Sequence, residues 1–161
     1  MDFPHPPVHS TVPRGADAPS VALAPVPRSA WGRVTLVGAG PGDAELLTLK
    51  AARVLASASL VLYDHLVSKD VLQHVPASAE LIYVGKQSSN HSLPQEGIID
   101  LMVRLAQAGR SLVRLKGGDP YIFGRGGEEA QALAAVGIAC ETVPGISAAQ
   151  GAAAATGIPL T

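Results

Sequence analysis

Leu115-Lys116-Gly117-Gly118-Asp119-Pro120 is followed, after Tyr121 and Ile122, by Phe123-Gly124-Arg125-Gly126-Gly127-Glu128-Glu129, so an apolar strand pattern meets a glycine turn crowded with charge. Gly117 and Gly118 lack a Cβ, which lets backbone N–H and C=O groups approach a ligand and permits a positive φ. Asp119 adds a carboxylate beside that backbone, and Pro120 sets the direction in which the chain leaves. Residues 112–115 read as a buried strand, which puts the turn at a strand's carboxyl end, where open α/β sheets bind small molecules. A plain tight connection has the same turn chemistry, so the neighbouring motifs must decide.

A second glycine turn, Gly38-Ala39-Gly40-Pro41-Gly42-Asp43, follows an apolar run at 34–37, and Asp64 closes another run at 60–63. The pattern approaches a dinucleotide-binding fingerprint. Asp43, however, stands where the third glycine is required and would face phosphate, and Pro41 interrupts the turn. A positively charged ligand without phosphate suits Asp43, Asp64 and Asp119 better, and S-adenosylmethionine, a sulfonium, fits that description. Asp64, His65 and Lys86 follow strand-like runs and converge on one rim, with an Asp–Lys ion pair as the structural alternative. His65, His74 and His91 lack ligand spacing relative to one another, and Cys140 is the only cysteine, so no metal site and no intrachain disulfide is expected.

Positioning these residues requires a scaffold, and the hydrophobic pattern describes an α/β fold. Five apolar runs, at 34–37, 60–63, 81–84, 112–115 and 140–143, alternate with helical patterns, which predicts right-handed crossovers and a mainly parallel five-stranded sheet flanked by helices. Leu49, Ala52, Leu55 and Ala56 share one helical face, and Ile98, Leu101, Met102 and Leu105 repeat the pattern before Gly109 ends that helix. Residues 128–136 form a third helix stopped by Gly137. An alanine-rich fourth spans 147–156, with Ser147 available as its cap.

The chain has 161 residues, 47% of them hydrophobic and 16% charged, which suits one folded domain. Residues 1–30 hold seven of the 13 prolines without helical or strand periodicity and read as a disordered extension, leaving 31–161 as the domain. A net charge of −1 argues against nucleic-acid binding, and no apolar run reaches membrane-spanning length. The single cysteine and the lack of a secretory signal pattern suit a reducing cytoplasm. The ending Gly157-Ile158-Pro159-Leu160-Thr161 is apolar with no polar tail, so the domain reads as cut there.

The ordered set of segments resembles the tetrapyrrole methyltransferases, and among them the uroporphyrinogen-III C-methyltransferases. It comprises 34–43, Leu62-Tyr63-Asp64 with Leu66-Val67, Val84-Gly85-Lys86, the stretch 117–129, and 143–146 through 157–161. The resemblance implies the first domain of that fold, with a second α/β domain missing. It implies S-adenosylmethionine as methyl donor, and uroporphyrinogen III converted to precorrin-2 by way of precorrin-1, on the route to sirohaem and cobalamin. By the same resemblance Pro41, Gly117, Gly118, Asp119, Ile122, Ser147 and Ala148 line the cofactor site, Asp64 is the proton acceptor and Lys86 the proton donor. The full-length form would be a homodimer, without nucleic acid, membrane or metal. Lys86, Arg114, Lys116 and Arg125 are candidates to meet the substrate's carboxylates. Gln87 and Ser147 depart from the family's usual Arg and Thr. The upstream extension is too short for the dehydrogenase and chelatase module of fused sirohaem synthases, which predicts a single-function fragment. A methyltransferase for a later precorrin, a non-catalytic copy and a nicotinamide oxidoreductase are the competing readings.

Overall fold

The computed structural model describes residues 27–85 and 94–161. Five strands form one parallel sheet: β1 (Val34–Gly38), β2 (Leu60–Tyr63), β3 (Glu80–Tyr83), β4 (Leu112–Lys116) and β5 (Cys140–Val143), in the spatial order β3-β2-β4-β1-β5. The expected α/β architecture is the one observed. Because β4 is inserted between β1 and β2, the loops after β1 and β4 emerge side by side at the carboxyl edge. Strand alternation sorts the core into two layers. Val34, Leu36, Leu60, Leu62 and Leu112 pack with Ile98, Met102 and Ala106 of α3 (Gln95–Gln107) and Leu133 of α4 (Gly126–Ala135). On the other face Val37, Val61, Val113 and Leu115 meet Ala51 and Leu55 of α1 (Leu49–Ala56) and Val71 of α2 (Lys69–Leu72).

Several boundaries differ from expectation for identifiable reasons. β3 begins at Glu80, one residue early, because the Glu80 N–H donates to Ser59 O and starts the ladder there. α4 starts at Gly126 rather than 128, its Gly126 N–H donating to Pro120 O at 2.9 Å. In α1 the buried face is Ala51 and Leu55, while Leu49, expected inside, is 83% exposed. Thr48 caps the helix through the Ala51 N–H, which places Leu49 in the first turn, beyond the edge of the core. The short α2 was not expected; Ser68 caps it through the Val71 N–H. At the amino end the structure departs from an irregular chain up to residue 30, since Arg28–Ala30 form a 3-10 turn and the Arg28 guanidinium lies 5.3 Å from the Trp31 ring centroid. Trp31 itself packs against the first of the two layers, the one that contains Val34 and Leu36. Residues 1–26 lie outside the described part.

Candidate active site

Three glycine loops meet at the carboxyl edge of the sheet. Gly40 and Gly118, both left-handed with φ of 71° and 66°, exchange backbone hydrogen bonds: Gly40 N–H donates to Gly118 O at 3.1 Å and Gly118 N–H to Gly40 O at 2.8 Å. The Gly118 amide is therefore used in loop closure, whereas the sequence suggested that it would face a ligand. Gly145, after β5, lies against the same junction. A Cβ on it would fall 2.3 Å from Gly118 O and 2.9 Å from Gly38 Cα. Gly145→Ala is accordingly expected to destabilise the fold by about 1–3 kcal/mol, read as a lowered thermal midpoint, because the neighbours it meets are backbone.

Asp119 joins the same loops. Its Oδ1 accepts from Tyr121 N–H at 2.8 Å and its Oδ2 from Gly145 N–H at 3.0 Å, so its carboxylate ties the β4 loop to the β5 loop. Ser147 caps α5 (Ala148–Thr156): its Oγ accepts from Gln150 N–H at 3.3 Å while Gln150 Oε1 accepts from Ser147 N–H at 3.0 Å. This is the cap expected from sequence. Pro41 seats on α5 at Gly151, where a Cβ would approach within 2.6 Å of the proline ring.

Around these loops opens a cavity of about 1010 Å³. Pro41, Asp64, Gly117, Gly118, Asp119, Ile122, Ser147 and Ala148 all border it. Eight of the nine site residues expected from sequence thus share one cavity; the ninth, Lys86, lies outside the described residues, as do Gln87 and His91. Asp43, grouped with Asp64 and Asp119 as a partner for positive charge, is elsewhere. Its Oδ1 accepts from Glu45 N–H at 2.9 Å and caps a 3-10 turn, Ala44–Leu46, so the loop after β1 has no long helix N-terminus to offer a pyrophosphate.

The back wall holds a charge cluster that sequence reasoning missed. Alternation along β4 puts Leu112, Arg114 and Lys116 on one face, and the last two are buried at the carboxyl end beneath α3 and α4. Arg114 Nη2 donates to Asp64 Oδ2 at 2.9 Å, and Lys116 Nζ to Glu129 Oε1 at 3.1 Å. Gln95 Nε2 donates to the same Glu129 oxygen at 3.0 Å. Burial pushes the Lys116 ammonium below its ordinary pKa, Arg114 adds to that, and Glu129 opposes it. Arg114 and Lys116 are therefore committed to carboxylates of the protein, which corrects their reading as cations waiting for substrate. Arg125 is bonded to Glu128 on the surface, Nη2 to Oε2 at 2.7 Å. The signal for Glu129 was its spacing of four from Leu133, which puts both on the buried face of α4.

A parallel sheet with glycine loops closing around one cavity at its carboxyl edge defines an α/β domain of the architecture in which small-molecule sites are built. Residues 33–161 match the family Tetrapyrrole (Corrin/Porphyrin) Methylases, and the chain belongs to it. It is 61% identical over 136 residues to siroheme synthase 1 of Pectobacterium atrosepticum, covering 84% of this chain and 28% of that protein. It is 62% identical over 130 residues to siroheme synthase of Acinetobacter baylyi, covering 81% of this chain and 28% of that one. Among solved structures, uroporphyrin-III-C-methyltransferase from Thermus thermophilus is 52% identical with a TM-score of 0.71, over 81% of this chain and 55% of that one. A structure of the Thermus thermophilus enzyme complexed with S-adenyl homocysteine is 50% identical with a TM-score of 0.65, over 81% of this chain and 50% of that one. The chain thus spans under a third of the length of these curated relatives and about half of the solved ones. No helix among the described residues is long and apolar enough to cross a membrane.

Proposed function

We propose that the chain is the part of an S-adenosylmethionine-dependent enzyme that carries the catalytic base and one wall of the cofactor site. The enzyme C-methylates uroporphyrinogen III to precorrin-2 by way of precorrin-1, supplying sirohaem or cobalamin synthesis. The observation that carries this reading is the convergence of Asp64 with Pro41, Gly117, Gly118, Asp119, Ile122, Ser147 and Ala148 on a single cavity. The cavity suits a ligand without phosphate, since the cations Arg114 and Lys116 on its wall are neutralised by Asp64 and Glu129. The S-adenyl homocysteine bound by a 50% identical relative supports the same cofactor.

When bound, S-adenosylmethionine supplies a sulfonium methyl group to a pyrrole carbon, the sulfur keeping the electron pair of the broken bond. The remaining chemistry belongs to the protein. The β1, β4 and β5 loops, locked by the Gly40–Gly118 bonds and by Asp119, hold the site in one shape. The positive charge left on the ring system is discharged by proton loss, and Asp64, on the cavity and 16% exposed, accepts that proton. Lys86 is the proton donor in this reading, and the complete enzyme is a homodimer.

The test mixes labelled S-adenosylmethionine and uroporphyrinogen III with the chain, and with a version extended to the length of the solved relatives. Label is expected in precorrin-2 from the extended protein and little from the chain alone, whose half-site leaves the ligand wet and poorly oriented. Folded extended protein that binds the cofactor yet transfers no methyl group to this substrate would refute the substrate assignment.

A further inference from the structure

We infer that Glu129 is a positioning residue for proton transfer at Asp64, acting through Arg114; this rests on the reading of Asp64 as the base. Glu129 does not border the cavity. Its side chain is fully buried, and its Oε1 gathers Lys116, Gln95 and, at 3.5 Å, Arg114 Nε. Among the described residues, its Oε2 and Arg114 Nε have no hydrogen-bond partner. A buried carboxylate with an idle oxygen is a costly way to fill a core position, and one turn further along the helix Leu133 fills the equivalent place with hydrocarbon.

What an apolar residue would not supply is charge behind Arg114. That guanidinium donates Nη1 to Leu115 O at 2.9 Å and Nη2 to Asp64 Oδ2 at 2.9 Å. Asp64 Oδ1 accepts from Leu66 N–H at 3.0 Å, so among the described residues each carboxylate oxygen is held by one donor and the group has a defined orientation at the cavity. Arg114 and Lys116 carry two positive charges, and Asp64 and Glu129 two negative ones. When Asp64 takes a proton, the set is left with one net positive charge. Without Glu129 the same step would leave two buried cations and no carboxylate. Glu129 thus keeps Arg114 on Asp64 in both protonation states.

The experiment is a double-mutant cycle in the protein extended to the length of the solved relatives. Glu129→Gln preserves volume and one carbonyl oxygen while removing the charge. It is expected to lower kcat for methyl transfer about tenfold or more, with KM for S-adenosylmethionine little changed. In an Asp64→Asn background it is expected to cost less than about twofold, because the group it positions is gone. An equal loss in both backgrounds, or undiminished kcat in the single variant, would overturn the inference. If circular dichroism shows Glu129→Gln unfolded, Arg114→Lys enters the same cycle with the same two readouts, since it keeps the charge but not the fork. Absence of methyl transfer by the unsubstituted protein would instead refute the proposed function, and this inference with it.

Discussion

Glu129→Ala is expected to lower the stability of the domain by about 3–5 kcal/mol, measured by denaturant unfolding of the chain. The substitution leaves Lys116 and Arg114 buried, with Asp64, paired to Arg114, as the one carboxylate ion-paired with either among the described residues, and removes the acceptor of Gln95. The exposed pair Arg110–Glu80, at 2.5 Å, sets the contrast: breaking it should change stability by no more than about 1 kcal/mol, because water solvates both partners. Part of the Glu129→Ala penalty is relieved by proton release. Lys116 already has a lowered pKa from burial, and losing Glu129, which raises it, lowers it further. In the variant the unfolded state then binds more protons than the folded one, so stability rises with pH from the folded pKa of Lys116 up to its unfolded value of about 10.4. A variant whose deficit relative to the parent did not shrink over that window would show that Lys116 stays charged without its partner.

The difference between these two pairs also marks where sequence reading succeeds. The strands were legible because each is a short apolar run ending in a glycine or charged turn, and the parallel order follows from helices between them. The cavity residues were legible because the features that build them are local: a glycine pair, a proline, a serine cap before alanines. The helix α2 was missed, since four residues carry no periodicity, although Ser68 before Lys69-Asp70 was a usable cap signal. Leu49 misled because a two-turn helix has too few residues for its apolar positions to fix one face.

Charge pairing is the part that was not legible. Arg114 chooses Asp64 across 50 residues and Lys116 chooses Glu129 across 13, and neither choice follows from spacing along the chain. Read by type alone, two cations at the end of a strand look available to an anionic ligand. The three-dimensional order β2-β4 places Asp64 beside Arg114, and α4 brings Glu129 over Arg114 and Lys116. The same topology that collects the ligand loops therefore neutralises the wall behind them. Gly118 is a parallel case: its type was right, while the partner of its amide, Gly40, was visible only once β1 and β4 were neighbours.

Asp64→Asn is expected to reduce single-turnover methyl transfer by about 10²–10⁴-fold in the extended protein, with S-adenosylhomocysteine affinity little changed. The amide keeps an oxygen for the Leu66 N–H, so the loop geometry has an acceptor to retain. It supplies no base, and its NH₂ must either face the Arg114 guanidinium, donor against donor, or give up the Leu66 bond. Cofactor affinity is the control that separates chemistry from collapse of the site, because the Gly40–Gly118 bonds and the Asp119 tie do not involve Asp64. Loss of both affinity and rate would mean that the Arg114–Asp64 pair holds the cavity together. An unchanged rate would remove Asp64 from the proton-transfer step and leave the Arg114 pair as a structural contact.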